Sequence, residues 1–298
     1  MTDIFHRDPI ADSPISVVLL AYNAEQFVTS VLKKWRKTLD SLEREYEIIV
    51  VDDGSSDETT VKVEEFVTKN PNVRILKHDK HQGVGTTLKT GLAEARHPLV
   101  CYCPCDEAYV TKDLKTLLQD IDQVDVVVGQ RQVHPIPQWL LVLGIFYRIF
   151  VRVILYWTSR PREVWLGWNG YWRSWWAWWF FGQTLEDVGS PFRLYRKDAV
   201  DKLPIQSTGD FVHIELLAKG TFRTQLVSIK PIKYKLLDKP VPDFQRPYTW
   251  SDFLKVLNKP RFVPPVSLKE THAQPVRESA GEVEAQIAKP RPDVHSEE

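Results

Sequence analysis

No excess of either charge sign exists in this 298-residue chain, where 39 Lys and Arg stand against 39 Asp and Glu. A protein whose main partner is nucleic acid needs a concentrated surplus of Lys and Arg to neutralise phosphates, so that class is set aside. Cysteine is scarce: Cys101, Cys103 and Cys105 are the three present, too close together to staple a fold. Nowhere do about eighteen apolar residues follow one another, so no ordinary spanning helix is expected. The opening MTDIFHRDPIADSP has no apolar h-region, from which we expect no secretory signal and a cytoplasmic, reducing location. No internal repeat of fixed period is visible. What remains is ordinary globular composition, 43% hydrophobic and 26% charged, with one anomaly: nine of the eleven Trp fall between Trp139 and Trp179.

From residue 13 to 129, short β-branched runs alternate with amphipathic stretches, the pattern of strand-helix repeats that build a mainly parallel sheet. ISVVLLAY (15–22) and YEIIVVDD (46–53) are continuous apolar runs, as expected of strands covered by helices on both faces. VRILKH (73–78), PLVCYC (98–103) and VDVVVGQR (124–131) add three more. Residues 25–42, 57–68 and 85–95 have helical spacing, with Asp57 placed as an N-cap. The rhythm is lost over 135–182 and returns over 187–234, with FRLYRKDAV, the amphipathic FVHIELLAKG (211–220) and the strand TQLVSIKPIKYK. We therefore expect a short N-terminal extension (1–12), one α/β domain (13–235) holding a Trp-rich helical insertion (138–182), a Pro-rich basic segment with a short helix (236–265), and a disordered tail (266–298).

The strongest signal is EIIVVDDGSSDET (47–59), an apolar strand ending in two carboxylates, then Gly and two hydroxyl residues before a helix. In open α/β sheets ligands bind beyond the carboxyl ends of strands, so Asp52 and Asp53 stand where a base or ribose is read. The plain alternative is a strand-to-helix turn with an Asp-Gly bend. SVVLLAYNAEQFV (16–28), EIIVVDDGSSDET, HQGVGTTLKTGLAEA (81–95), DVVVGQR (125–131) and DVGSPFRLYRKDAV (187–200) then follow in an order and spacing that resembles family 2 glycosyltransferases. The last motif is similar to the branch of polyprenyl-phosphate (dolichol-phosphate-type) hexose transferases. The resemblance implies a GT-A fold, a doubly wound, mainly parallel sheet, and transfer of a sugar from a nucleotide sugar, usually with inversion.

What the resemblance implies carries over position by position. Tyr22, Asn23 and Glu25 end the first strand and Asp52 and Asp53 the second, all on the donor side. Gly83 and Gly85 match a turn in which a missing side chain lets the backbone approach the donor, with His81 at that turn's Asn position. Arg131 ends a strand on the donor side. Asp187 corresponds to the carboxylate beside the acceptor, and Arg193 and Arg196 follow as partners for donor or lipid phosphate, because guanidinium binds phosphate oxygens bidentately. Each arginine has a structural ion pair as its plain alternative. Glu215 matches a further carboxylate, with a solvated or helix-pairing glutamate as the alternative.

One departure concerns the cation. Where the family places Asp-x-Asp to hold a divalent ion on the donor diphosphate, VCYCPCDEAY (100–109) has Pro104 in the first position and retains Asp106. Mg²⁺ or Mn²⁺ is the implied cofactor, held weakly by Asp106 with the donor's help; Glu107 would replace the lost ligand only through a turn, since neighbours on an extended chain point opposite ways. The three cysteines share one strand face. A soft-metal site is one reading, but four-ligand zinc sites draw on two separated pairs, and buried small hydrophobes is the better one.

Two features point to a membrane surface. QWLLVLGIFYRIFVRVILYW (138–157) carries only Arg148 and Arg152 as charges, which would cost about 5–7 kcal/mol at the centre of a spanning helix, so an interfacial position is favoured. Trp165, Trp168, Trp172, Trp175 and Trp179 share one face if helical, and indole prefers the headgroup region. Packing against the sheet or another subunit is the alternative. From Lys219 to Arg261, ten Lys and Arg oppose three Asp, a net of +7 that would complement anionic lipid, with a merely solvated basic face as the alternative. The function expected is an inverting transferase moving a hexose to a polyprenyl phosphate or other lipid-linked acceptor, peripheral at the cytoplasmic membrane face. The alternatives are a degenerate nucleotide-sugar-binding or assembly protein, or a soluble transferase acting on a glycan or protein.

Overall fold

The computed structural model describes residues 8–132, 187–235, 250–259 and 261. Within them the strands β1 (Ile15–Ala21), β2 (Tyr46–Asp52), β3 (Val73–Lys77), β4 (Leu99–Pro104), β5 (Val126–Arg131), β6 (Arg193–Arg196) and β7 (Val227–Ile232) form one seven-stranded sheet, ordered β3-β2-β1-β4-β6-β5-β7. All neighbours are parallel except β6, which runs antiparallel to β4 and β5. The helices are α1 (Val28–Asp40), α2 (Thr59–Val67), α3 (Val84–Glu94), α4 (Leu114–Leu118), α5 (Lys197–Val200), α6 (Val212–Phe222) and α7 (Trp250–Asn258), with a 3₁₀ turn, Thr111–Asp113, leading into α4. This is the doubly wound, mainly parallel α/β sheet that the strand-helix rhythm predicts.

The continuous apolar strands are explained by two cores. Val17, Leu19, Ile48, Val50, Cys101 and Cys103 pack with Trp35 of α1 and Leu117 of α4, while Val18, Leu20, Ile49, Val51, Val100 and Tyr102 pack with Leu88 of α3, Ile214 of α6 and Phe253 of α7. Successive residues serve opposite faces, so neither face can be polar. The close approach of α3 depends on Gly91, where an added Cβ would run into Val18 of β1 and Val51 of β2. Pro231 sits in β7, at the sheet edge, the place where a missing N–H is tolerated. The three cysteines are buried core residues, and burial pushes all three thiols up.

Some boundaries differ from the sequence reading for local reasons. Helix α1 begins at Val28, not residue 25, because Asn23 adopts a left-handed φ of 48° and residues 24–27 close a turn through Phe27 N–H to Ala24 C=O. Asp57 does serve the start of α2, its Oδ1 accepting from Thr59 N–H at 3.0 Å, although the helix proper starts at Thr59. The 3₁₀ turn and α4 lie where no helix is predicted. The Trp-rich insertion (138–182), residues 1–7, residues 236–249 and the tail (266–298) lie outside the described residues. No described helix is long and apolar enough to cross a membrane.

Topology then fixes where a ligand can sit. The chain moves from β1 outward to β2 and β3, then returns to β4 on the other side of β1. That reversal makes a switch point at the carboxyl ends of β1 and β4, where loops diverge and leave a crevice.

Candidate active site

Two loops line the crevice beside β1. Asn23 Oδ1 accepts from Ser56 N–H at 2.8 Å, Ser55 Oγ accepts from Asn23 N–H at 2.9 Å, and Glu25 Oε2 accepts from Glu58 N–H at 3.1 Å. Asn23 and Glu25 thus tie the β1–α1 loop to the β2–α2 loop. Asp52, 2% exposed, accepts from Ser55 N–H at 3.0 Å and Ser55 Oγ at 2.5 Å, and also from Thr60 Oγ1.

Asp53 is fully buried and takes four donors. Oδ1 meets His78 Nδ1 at 2.8 Å and Gln82 N–H at 2.9 Å; Oδ2 meets His81 Nδ1 at 2.9 Å and Gly83 N–H at 2.8 Å. Its carboxylate therefore shapes the 78–83 loop from inside, and a direct contact with base or ribose is not available to it in this arrangement. His81, in turn, lies against Tyr22 with ring centroids 4.2 Å apart. That places an aromatic pair at the rim, with His81 about a third exposed (34%).

The role expected of Gly83 and Gly85 needs correction. Gly83 has φ 95°, and a Cβ there would lie 2.5 Å from the Thr208 carbonyl oxygen; a Cβ on Gly85 would overlap the Ser207 carbonyl oxygen. Gly85 N–H also donates to Thr208 C=O at 2.7 Å. It is the 207–208 backbone, not an open ligand space, that these glycines admit. That loop is clasped from both sides. Glu215 of α6, fully buried, accepts from Gln206 N–H and Ser207 N–H at 2.8 Å each and pairs with Lys219 at 2.5 Å, while Asp252 of α7 accepts from Gly209 N–H at 2.7 Å. Glu215 thus follows its helix-pairing alternative. Asp252 escaped the sequence reading because nothing in WSDFLKV distinguishes a loop-holding carboxylate from a solvated one.

At the end of β4, Asp106 is 4% exposed. Oδ1 accepts from Ala108 N–H at 3.0 Å, but Oδ2 is buried and has no hydrogen-bond partner among the described residues. Burial pushes this carboxyl up to about 7, against the pull of Ala108 N–H and of Arg131. Glu107 turns the other way. It accepts from Ser30 Oγ at 2.6 Å and Lys34 Nζ at 2.5 Å on α1, and those two bonds hold its carboxyl below the usual range. Glu107 is therefore engaged by α1 and not offered to a cation beside Asp106. Among the described residues no group of three or more His, Cys, Asp or Glu converges on a point. The donor set suits a cation shared with a ligand, since the described residues contribute one orphaned carboxylate oxygen.

Beside it, Arg131 and Asp187 form a bidentate pair: Arg131 Nε and Nη2 reach the two carboxylate oxygens at 2.8 and 2.6 Å, and Arg131 N–H adds a third bond at 3.1 Å. Both side chains are largely covered, at 12% and 14% exposed. Burial pulls the Arg131 guanidinium down, yet the charge and hydrogen bond of Asp187, with Tyr109 and Tyr234, together raise it on balance. Arg131 also lies over the Tyr234 ring, 5.4 Å from its centroid, and Tyr234 meets Tyr109 edge-on at 5.2 Å. Tyr109 Oη, buried, has no hydrogen-bond partner among the described residues. Tyr109 closes the quoted VCYCPCDEAY motif, but nothing in the spacing marks a buried hydroxyl as free to receive a ligand.

The other two arginines are corrected. Arg193 is fully buried, and its guanidinium donates to the carbonyls of Ser190 at 2.8 Å, His213 at 2.6 Å and Val188 at 2.5 Å, so no edge remains for a phosphate. Arg196 pairs with Leu99, at the opposite end of the sheet, and donates to the carbonyls of Ile121, Val124 and Asp122 at 3.1, 3.2 and 3.0 Å. The three-residue spacing inside an extended strand separates them by most of its length. The crevice therefore gathers Tyr22, His81, Asp106, Tyr109, Arg131, Asp187 and Tyr234 around the ends of β1, β4 and β5, and leaves Arg196 and Glu107 outside.

Comparison with known proteins gives the same frame. The profile of the family described as Glycosyl transferase family 2 matches residues 16–203. A dolichyl-phosphate beta-glucosyltransferase of Dictyostelium discoideum is 31% identical over 138 residues, 42% of this chain and 42% of that protein. An undecaprenyl-phosphate 4-deoxy-4-formamido-L-arabinose transferase of Proteus mirabilis is 25% identical over 217 residues, 72% of this chain and 58% of that protein. The matched stretch thus spans about four to six tenths of these relatives' length. Among solved structures, glucosyl-3-phosphoglycerate synthase from Mycobacterium tuberculosis, in complex with Mn²⁺ and UDP-glucose, superposes with a TM-score of 0.52 at 18% identity, covering 80% of this chain and 75% of that one. At that identity the likeness speaks for the fold alone.

Proposed function

The chain belongs to glycosyl transferase family 2, and on that premise we propose that it moves a hexose, with inversion, from a nucleotide sugar to a polyprenyl phosphate or similar lipid-linked acceptor at the cytoplasmic face of a membrane. The observation that carries the reading is the buried, unpartnered Oδ2 of Asp106 at the carboxyl end of β4, beside the Arg131–Asp187 pair. A buried polar atom without a partner costs about 1–3 kcal/mol, so a fold that keeps one at a topological switch point is suited to a ligand that satisfies it.

In this reading Tyr22 and His81 flank the nucleoside, and Asp52 and Asp53 act one step back, holding the loops that form its walls. Asp106 would hold Mg²⁺ or Mn²⁺ together with the donor's own phosphates, and a cation so held supplies charge neutralisation for the departing diphosphate. Arg131 presents a fixed positive charge where negative charge gathers, and the bidentate bond keeps it from turning away. Asp187 is held in place by that guanidinium. For a hydroxyl acceptor it receives the proton; for a phosphate acceptor, already ionised, it orients Arg131 and the attacking oxygen. The names of the relatives support the lipid acceptor, and the Trp-rich stretch 138–182 with the basic residues after Lys219 is suited to an anionic membrane surface. Pro104 favours a second reading, a donor-binding protein without turnover, because it removes one cation ligand. A thermal-shift screen of UDP-, GDP- and dTDP-sugars with and without Mg²⁺ or Mn²⁺ tests the donor site. One nucleotide class should raise Tm, more so with cation, and no shift from any of them would remove the proposal.

A further inference from the structure

Arg193 is the one arginine of the FRLYR motif that lies behind Asp187. It is fully buried on β6, and its guanidinium joins two elements: Nε and Nη2 bind the carbonyls of Ser190 and Val188, in the turn that carries Asp187, while Nη1 binds the carbonyl of His213 in the first turn of α6. The turn itself is closed by Ser190 N–H to Asp187 C=O at 3.2 Å. Behind it a buried polar chain continues, with Tyr102 Oη 3.1 Å from His213 Nδ1 and Asp210 3.4 Å from His213 Nε2. A fully buried cation held by three backbone carbonyls and, at 3.4 Å, by the Tyr195 hydroxyl is a costly way to hold a loop, unless its placement matters.

We propose that Arg193 is a positioning residue, which fixes the 187–190 turn against α6 so that Asp187 and its partner Arg131 stand at the crevice in one orientation. Lysine cannot reproduce this. Three carbonyls in three directions need the rigid planar fork, whereas an ammonium on a flexible stem satisfies them one at a time. The proposal rests on the reading of Asp187 given above.

The test is a double-mutant cycle on the full chain, with undecaprenyl phosphate in detergent as acceptor and UDP-glucose and GDP-mannose as donors. Arg193→Lys should lower kcat about 10- to 100-fold with donor KM within about twofold, since a shifted reacting group costs rate and leaves binding alone. In the Asp187→Asn background the same change should cost nothing further, because its effect runs through Asp187. Wild-type kcat in Arg193→Lys, a proportional rise in donor KM, or losses that multiply in the double variant would overturn the proposal. Asp187→Asn with wild-type kcat would instead sink the reading of Asp187 itself. Should substitution at 193 prevent folding, hydrogen exchange of the wild type decides: residues 187–192 should exchange as slowly as β4, and exchange at the rate of an open loop would contradict the role.

Discussion

Asp106→Asn in metal-free protein should make the fold more stable at neutral pH, and the gain should depend on pH in a defined way. The Asp106 carboxyl rises from an ordinary 3.8 to about 7 in the folded protein, chiefly through burial. Between those values the folded state holds a proton that the unfolded chain has released, so stability falls as pH rises through this window. A shift of about three units at about 1.4 kcal/mol each makes the ionised carboxylate a cost of about 4 kcal/mol above pH 7. Asparagine keeps the acceptor for Ala108 N–H and does not ionise. Between pH 5 and pH 8 the advantage of Asp106→Asn over wild type should therefore widen by about 2–3 kcal/mol, as two of those units are crossed. Urea unfolding at both pH values in EDTA measures it, and all other titrating groups cancel between the two proteins. Adding Mg²⁺ with a bound nucleotide sugar should reverse the order, because the wild-type carboxylate then has its partner. Stability curves that run parallel from pH 5 to pH 8 would refute the claim that Asp106 is a buried, unpartnered acid.

Gly85→Ala forces a Cβ into the Ser207 carbonyl and should cost about 1–3 kcal/mol, read as a lower Tm; an unchanged Tm would mean the 207–208 loop yields freely. Asp53→Ala strips four donors of their acceptor and should weaken donor binding and lower stability together, by about 3 kcal/mol or more; calorimetry and unfolding on the same variant check the pairing. Glu107→Gln should leave the cation dependence of donor binding as it is, since Glu107 serves Lys34 and Ser30, whereas Pro104→Asp should strengthen it. Cys101, Cys103 and Cys105 should resist alkylation in the native protein and react together on unfolding; rapid native labelling would contradict their burial.

The strands were legible because a sheet covered on both faces demands uninterrupted apolar runs, and β1 through β5 fall within about two residues of their predicted limits. The crevice was legible for the same reason: carboxylates and glycines after such strands mark the ligand edge. Individual roles were less so. Gly83 and Gly85 look alike whether they admit a ligand or another loop, and only the tertiary placement of residues 207–208 decides. Arg193 and Arg196 share a motif yet end at different depths, because a strand carries its residues along the sheet while a spacing rule treats them as neighbours. Glu107 illustrates the reverse case, in which the alternation of an extended chain already argued against a shared ion site.

The central claim is sugar transfer to a lipid phosphate, and the most direct measurement is radiolabel partition. Purified protein is incubated with undecaprenyl phosphate, Mg²⁺ or Mn²⁺, and labelled UDP-glucose, UDP-galacturonic acid or GDP-mannose, then extracted with organic solvent. One donor should deliver label to the organic phase as an acid-labile glycosyl phosphate, with Asp187→Asn reduced about 10- to 100-fold while donor affinity holds, the loss of an orienting group. Donor binding with no label reaching the lipid, whichever sugar and cation are supplied, would contradict the account.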